Sequence, residues 1–280
     1  MTDQAIINEV GLRDGLQNQP VTVDTATKAK LAQLLVDAGM RYLEPVSFVS
    51  PKAIPQMADA AALTPLLPQG DALHYTALVP NLKGYQLARD AGYPTVALVL
   101  STTDSFNERN LRMSLEQAAQ SCEAIIAAAK ADGIATRTYI SGAFACPYDG
   151  PVPVTLPQQL SERMFAAGSD EVAIADTIGA GNPQQMKDIM QGLTVLQESE
   201  GVVIDADSKP SLNFGLSAVV YQWARGTPFK EITEMTLTPE GSIVRCITRL
   251  DELCKDIRNA ARVIGNPSLY RLYLYVPTHT

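Results

Sequence analysis

Eight short β-branched or apolar runs recur along the chain, each followed by a longer stretch of helical spacing. They are Ala5–Val10, Tyr42–Phe48, Leu73–Pro80, Thr95–Ser101, Thr136–Phe144, Glu171–Asp176, Val202–Asp207 and Glu234–Leu237. Between them lie amphipathic segments such as Thr25–Ala38, with Leu31, Leu34, Leu35 and Ala38 apolar, and Pro157–Ala167. Strands that alternate with helices pair in parallel through right-handed crossovers. Eight such units in about 250 residues predict an α/β fold of the closed (β/α)8 TIM-barrel type. An open doubly wound sheet fits less well, because no strand–GxGxxG–helix turn stands near the start. No composition break divides the chain, so residues 1–280 are expected to form a single catalytic barrel domain with a C-terminal helix and tail. The helix is expected at Ser242–Ile264, where Ile243, Ile247, Leu250, Leu253, Ile257, Ala261 and Ile264 step by three or four. The apolar, aromatic tail Tyr270–Thr280 reads either as an extra strand or as an arm docking onto a partner subunit.

Charge and cysteine usage narrow the setting. Lys and Arg number 22 against 30 Asp and Glu, a net charge of -8, and no basic cluster suits a phosphate backbone. Nucleic acid is therefore not an expected partner. Cys122, Cys146, Cys246 and Cys254 are widely spaced and form no CxxC pair, which suits reduced thiols in a cytoplasm. The N-terminal MTDQAIINEVGLRDG lacks the basic and apolar regions of an export signal. No apolar run reaches the roughly 18 residues of a membrane span, and no membrane partner is expected.

In a parallel barrel the chemistry comes from the C-terminal ends of the strands and the loops after them. After the first strand, Arg13 and Asp14 could supply a fixed cation and a proton or metal ligand, with Gly11 and Gly15 letting the backbone bend; a plain surface ion pair is the simpler reading. Glu44 interrupts an otherwise apolar second strand and must be paired or face a cavity, Arg13 being the obvious partner. Asp176 ends the sixth strand before a Gly-rich turn, where it could act as a base or simply cap the next helix. Asp205 and Asp207 share one face of the seventh strand, and two adjacent carboxylates of that kind suit a divalent metal or a turn.

The segments GLRDGLQNQ, EPVSFVSPKAIPQMAD, NLKG at Asn81–Gly84, ACPYDG at Ala145–Gly150 and ADTIGAGNPQQMKDIM resemble the hydroxymethylglutaryl-CoA lyases, in order, from about Ile6 to Met190. The resemblance implies a metal-dependent barrel that cleaves a carbon–carbon bond by a retro-Claisen reaction, releasing acetyl-CoA and a keto acid. It implies Asp14 as a ligand of a divalent metal (Mg2+ or Mn2+), Arg13 as the group polarising the thioester carbonyl, Glu44 as its orienter, and Asp176 as a carboxylate near the substrate hydroxyl. Gln17, Ser47 and Tyr139 match positions around the acyl group, and Asn110 borders the CoA arm. An acyl-CoA is the implied small-molecule partner, and barrels of this kind form homo-oligomers. The last third departs from the pattern. The family's His-x-His metal ligands on strand seven are replaced by Asp205 and Asp207, and its Gly-Gly-Cys-Pro loop by Thr236–Ser242. An oxygen-only metal site of Asp14, Asp205 and Asp207 is one expectation; an acyl-CoA-binding barrel or interaction protein without turnover is the alternative.

Overall fold

The structure, a computed structural model, describes residues 6–182, 184, 185, 188, 189 and 193, and the backbone of 211–214 and 272–275. Strands β1 (Ile6–Glu9), β2 (Tyr42–Ser47), β3 (His74–Leu78), β4 (Thr95–Ser101) and β5 (Ala135–Ser141) pair in parallel, each with the next. A two-stranded hairpin follows, β6 (Ala145–Cys146) with β7 (Gly150–Pro151), and then β8 (Glu171–Ala175), which lies parallel against β5. Helices α1 (Thr25–Asp37), α2 (Ala60–Leu63), α3 (Leu82–Asp90), α4 (Asp104–Leu111), α5 (Leu115–Asp132) and α6 (Thr155–Ala167) supply the crossovers. The parallel α/β barrel sheet expected from the alternation is the one found.

Beyond β8 the strands differ from the expected ones. The parallel neighbour of β8 is β9 (Ser211–Phe214), and β1 is flanked on its other side by the antiparallel β10 (Leu272–Tyr275). The tail thus contributes a strand to the sheet, one of the two readings open from its sequence. The expected strands Val202–Asp207 and Glu234–Leu237 and the helix Ser242–Ile264 lie outside the described residues. The fifth expected strand is also shorter, because Gly142 adopts φ +69 and turns the chain, so that Phe144 leaves the sheet.

Period-two alternation sorts the side chains of each strand. On β4, Leu98 and Leu100 pack outward with Leu31, Leu35, Ile125, Ile126, Met164, Val172 and Ile174 in the core between sheet and helices. Ala97 faces the other way and joins Leu78, Tyr139 and Ala173 in a smaller cluster, with Val99 packed against it. Each leucine so buried contributes about 1.5–3 kcal/mol, which makes the helical layer the main source of stability.

Local signals fix the helix ends. Ser114 and Gln117 form a reciprocal capping box at α5, and Gly133 ends it at φ +71. Asn81 caps α3 by accepting from Gly84 N–H at 3.0 Å. A Cβ on Gly84 would stand 2.7 Å from Phe48 O and 2.8 Å from Pro80 Cδ, so only glycine allows α3 to seat against the end of β2.

Candidate active site at the barrel mouth

After β1 the chain winds through a single π-type turn, Gly11–Gly15, in which Arg13 and Asp14 N–H groups both donate to Val10 O, at 3.1 and 2.7 Å. The wide turn points two consecutive charged side chains inward, and Arg13 is only 7% exposed. Its Nε and Nη2 both donate to Glu44 Oε1, at 2.6 and 2.5 Å, while Nη1 reaches Asp14 Oδ1 at 2.9 Å. Glu44 is fully buried. Pro45 follows it, the β2–β3 ladder slips one residue there, and the break lets the carboxylate sit among charged partners rather than in a regular strand. Its second oxygen accepts from Tyr139 Oη at 2.8 Å, and Asn8 Nδ2 donates to the same phenol at 3.5 Å. Burial first, then the neighbouring Glu44 charge, holds the Tyr139 phenol well above its usual range, so it stays protonated and donates.

Gln17 sits beside this group, its Nε2 donating to Asp14 Oδ1 at 3.1 Å. Ser47 ends β2 fully buried, its Oγ without a hydrogen-bond partner. Asp176 follows β8 and is 4% exposed. Its two oxygens accept from Ala180 and Gly181 N–H, both at 2.9 Å, so the carboxylate folds the turn after β8. Gly181 is required there, since a Cβ would stand 2.7 Å from the Phe144 ring. Asn110 is exposed on α4, next to Arg109, whose guanidinium stacks 4.3 Å over Tyr148. The structure therefore brings Arg13, Asp14, Gln17, Glu44 and Tyr139 into one hydrogen-bonded group. Ser47 ends β2, Asp176 follows β8, and Asn110 lies on the exposed face of α4. Asp205 and Asp207 lie outside the described residues.

For a divalent metal, the described residues offer Asp14, a hard oxygen ligand at the strand end. Among the described residues no group of three or more His, Cys, Asp or Glu side chains is arranged to hold an ion. His74 cannot contribute to such a group at the mouth: it opens β3, at the opposite end of the strands, and stacks on Tyr42 with ring centroids 4.4 Å apart.

Two buried polar groups near this site, Glu9 and Arg137, and the half-buried partner of the second, Glu171, escaped the sequence reading. Glu9 is fully buried, with Oε1 accepting from Gly11 N–H at 2.5 Å and Oε2 unpartnered; burial pushes its carboxyl up to about 7 against the pull of that N–H. Arg137 and Glu171 pair inside the barrel, Nε to Oε1 at 2.7 Å. A charged residue within the apolar run ATRTYIS was the available signal for Arg137; nothing local marked Glu9 as buried.

A parallel α/β sheet that gathers a carboxylate–arginine cluster where its strands end is the layout of α/β-barrel enzymes, whose sites lie at that face. Comparison with known proteins narrows this. The chain is 39% identical over 195 residues to the bovine mitochondrial hydroxymethylglutaryl-CoA lyase, covering 70% of this chain and 59% of the relative. It is 38% identical over 192 residues to the human mitochondrial enzyme, and 39% over 184 residues to a zebrafish 3-hydroxy-3-methylglutaryl-CoA lyase described as cytoplasmic. Among solved structures, the hydroxymethylglutaryl-CoA lyase of Pseudomonas aeruginosa superposes with TM-score 0.76 at 26% identity, covering 97% of this chain and 96% of that one. An HMG-CoA lyase from Acinetobacter baumannii in complex with coenzyme A and 3-methylmalate gives TM-score 0.75 at 26% identity, over 96% and 94%. The chain belongs to the hydroxymethylglutaryl-CoA lyase family, and through residues 108–273, which match the DSHCT (NUC185) domain family, it belongs to that family as well. The two assignments overlap from residue 108, where α5, β5, α6 and β8 form barrel wall; the DSHCT match also takes in the last third, where the lyase motifs cease. The chain spans 59% of the length of the bovine relative.

Proposed function

We propose that the chain is a hydroxymethylglutaryl-CoA lyase-like carbon–carbon lyase, cleaving a 3-hydroxy-3-methylglutaryl-CoA-type thioester to acetyl-CoA and a keto acid. The observation that carries this reading is the buried Arg13, held rigid by Glu44 and Tyr139 and aimed from a strand end beside Asp14. Bond cleavage leaves negative charge on the thioester oxygen as acetyl-CoA departs as its enolate. A guanidinium pre-aimed in a water-poor site stabilises that charge without reorganising at the moment of reaction. Glu44 and Tyr139 are in this reading the residues that keep Arg13 from swinging toward solvent. Gln17 and Ser47 would line the acyl group, the Ser47 hydroxyl being free to donate. Asn110 would flank the CoA arm, with Lys52, Lys83, Arg109 and Arg112 in or beside loops at the mouth supplying positive charge to its phosphates despite the net -8. Asp176, held by the turn after β8, would be the carboxylate near the substrate hydroxyl.

A divalent cation, Mg2+ or Mn2+, fits Asp14 in donor chemistry, with Asp205 and Asp207 as its candidate further ligands; when bound, such an ion adds Lewis-acid charge near the substrate oxygens. We further propose a single catalytic unit acting in the cytoplasm as a homo-oligomer. The test is release of acetyl-CoA from 3-hydroxy-3-methylglutaryl-CoA by the full chain with Mg2+ or Mn2+, measured by a coupled assay together with metal content. Turnover abolished by Asp14→Asn, with loss of bound metal, is expected. Wild-type protein that binds no divalent ion and releases no acetyl-CoA would sink the proposal; protein stabilised by CoA esters that it leaves intact would favour the binding barrel instead.

A further inference from the structure

We infer that Arg137, paired with Glu171 inside the barrel, is a positioning residue for the Arg13–Glu44–Tyr139 group, acting from one layer below it. The inference rests on the retro-Claisen reading above. Arg137 and Tyr139 stand two residues apart on β5 and so share its inner face. Tyr139 reaches across the barrel to Glu44, which anchors Arg13. Arg137 is 8% exposed, and its Cα partner across the ladder on β8 is Glu171.

The pairing itself argues for more than burial of two charges. Arg137 Nε donates to Glu171 Oε1 at 2.7 Å, but Nη1 is buried with no hydrogen-bond partner. A buried ion pair is weak evidence for stability, and well-packed apolar residues of similar volume are often as stable or more so. An unsatisfied donor adds a cost of about 1–3 kcal/mol on top of that. The guanidinium nevertheless stands next to Tyr139 on the same strand face and within electrostatic reach of the Glu44 carboxylate.

The charges that face Glu44 account for this placement. Arg13 approaches it from the turn after β1, with Asp14 beside that arginine; Tyr139 and Arg137 face it from β5, and Glu171 from β8. Without Arg137, Glu171 would lose its ion-pair partner, while Arg13 is already bonded to Asp14 and Glu44. Arg137 pairs with Glu171 directly beneath Tyr139, and so helps fix the phenol and the Glu44 carboxylate that Arg13 meets. Its contribution is geometric: it keeps the orienting carboxylate where Arg13 needs it, and touches no substrate.

The experiment compares steady-state cleavage of 3-hydroxy-3-methylglutaryl-CoA by wild type, Arg137→Met, Arg137→Lys and the double variant Arg137→Met/Glu171→Gln, with a thermal melt of each. Misplaced catalytic groups cost up to about 100-fold, so Arg137→Met and the double variant should lose about 10- to 100-fold in kcat. KM should stay within about threefold, because substrate contacts are untouched. Arg137→Lys, which keeps the charge, should recover part of kcat. The double variant leaves no buried charge alone and should melt near wild type, so a fall in its kcat reports positioning rather than unfolding. A folded double variant with wild-type kcat, or variants that raise KM alone, would overturn the inference while leaving the proposed function standing. Wild-type protein without turnover overturns both.

Discussion

Arg13 holds its charge inside a barrel wall, where removing an ion from water costs several kcal/mol unless it is paired and hydrogen-bonded. Glu44 and Asp14 meet that requirement from two directions, and the Tyr139 phenol meets the remaining demand of Glu44. Glu9, two residues before the turn that carries this arginine, is less well served. With its carboxyl raised to about 7 by burial, the folded protein binds its proton more tightly than the unfolded chain, whose carboxyl keeps the ordinary 4.5. Its contribution to stability is therefore fully present below about 4.5 and lost as pH rises through about 7. Glu9→Gln keeps an oxygen for Gly11 N–H and removes the titration. It is expected to stabilise the protein at pH 8 by up to about 3 kcal/mol relative to wild type and to flatten the dependence between pH 5 and 8. Urea unfolding midpoints of both proteins across that range are the measurement; parallel curves would show that Glu9 does not titrate there.

At the scale of elements, α3 shows how a short motif serves packing. The NLKG segment supplies a cap, Asn81, and the one residue without a side chain, Gly84, where the helix meets Phe48 O and Pro80. Gly84→Ala ordinarily helps a helix by about 1 kcal/mol. Here the methyl would meet backbone oxygen and a proline ring, so the variant is expected to lose about 1–3 kcal/mol, seen as a lower melting temperature. An unchanged or raised melting temperature would mean that α3 can shift away from β2. The strand ends behave alike: β5 stops where Gly142 turns, and the turn after β8 is tied by Asp176. A strand-end aspartate has the same sequence signature whether it binds backbone or substrate, which is why its reading as a base and its reading as a cap could not be separated from residue order.

Across the whole molecule, the mouth gathers residues far apart in the chain, Arg13 with Glu44 and Glu44 with Tyr139, 95 positions further on. A ligand seated there would join the π-turn, β2 and β5. CoA esters at about 100 times their dissociation constant are therefore expected to raise stability by about 2.7 kcal/mol, followed by thermal shift. Arg13→Met, which removes the guanidinium from the shared group, should abolish that shift; a shift of equal size in the variant would place the ester elsewhere. The last third of the chain carries the DSHCT match in place of the lyase pattern of histidines and cysteine loop, and the β10 strand it adds runs antiparallel on β1.

The alternation of short apolar runs with helical spacing predicted the parallel α/β sheet through β8 from residue order alone, because periods of 2 and 3.6 impose different faces to bury. The Arg13–Glu44 pairing was equally legible, since a charge in an apolar strand must find a partner. Tertiary structure alone decided that Asp176 ties a turn, that Glu9 is buried with one oxygen unpaired, and that Arg137 lies under Tyr139. Those facts depend on which strands become neighbours and how far the ladder slips at Pro45, and distances of that kind are set by strand pairing across the sheet rather than by any window of sequence.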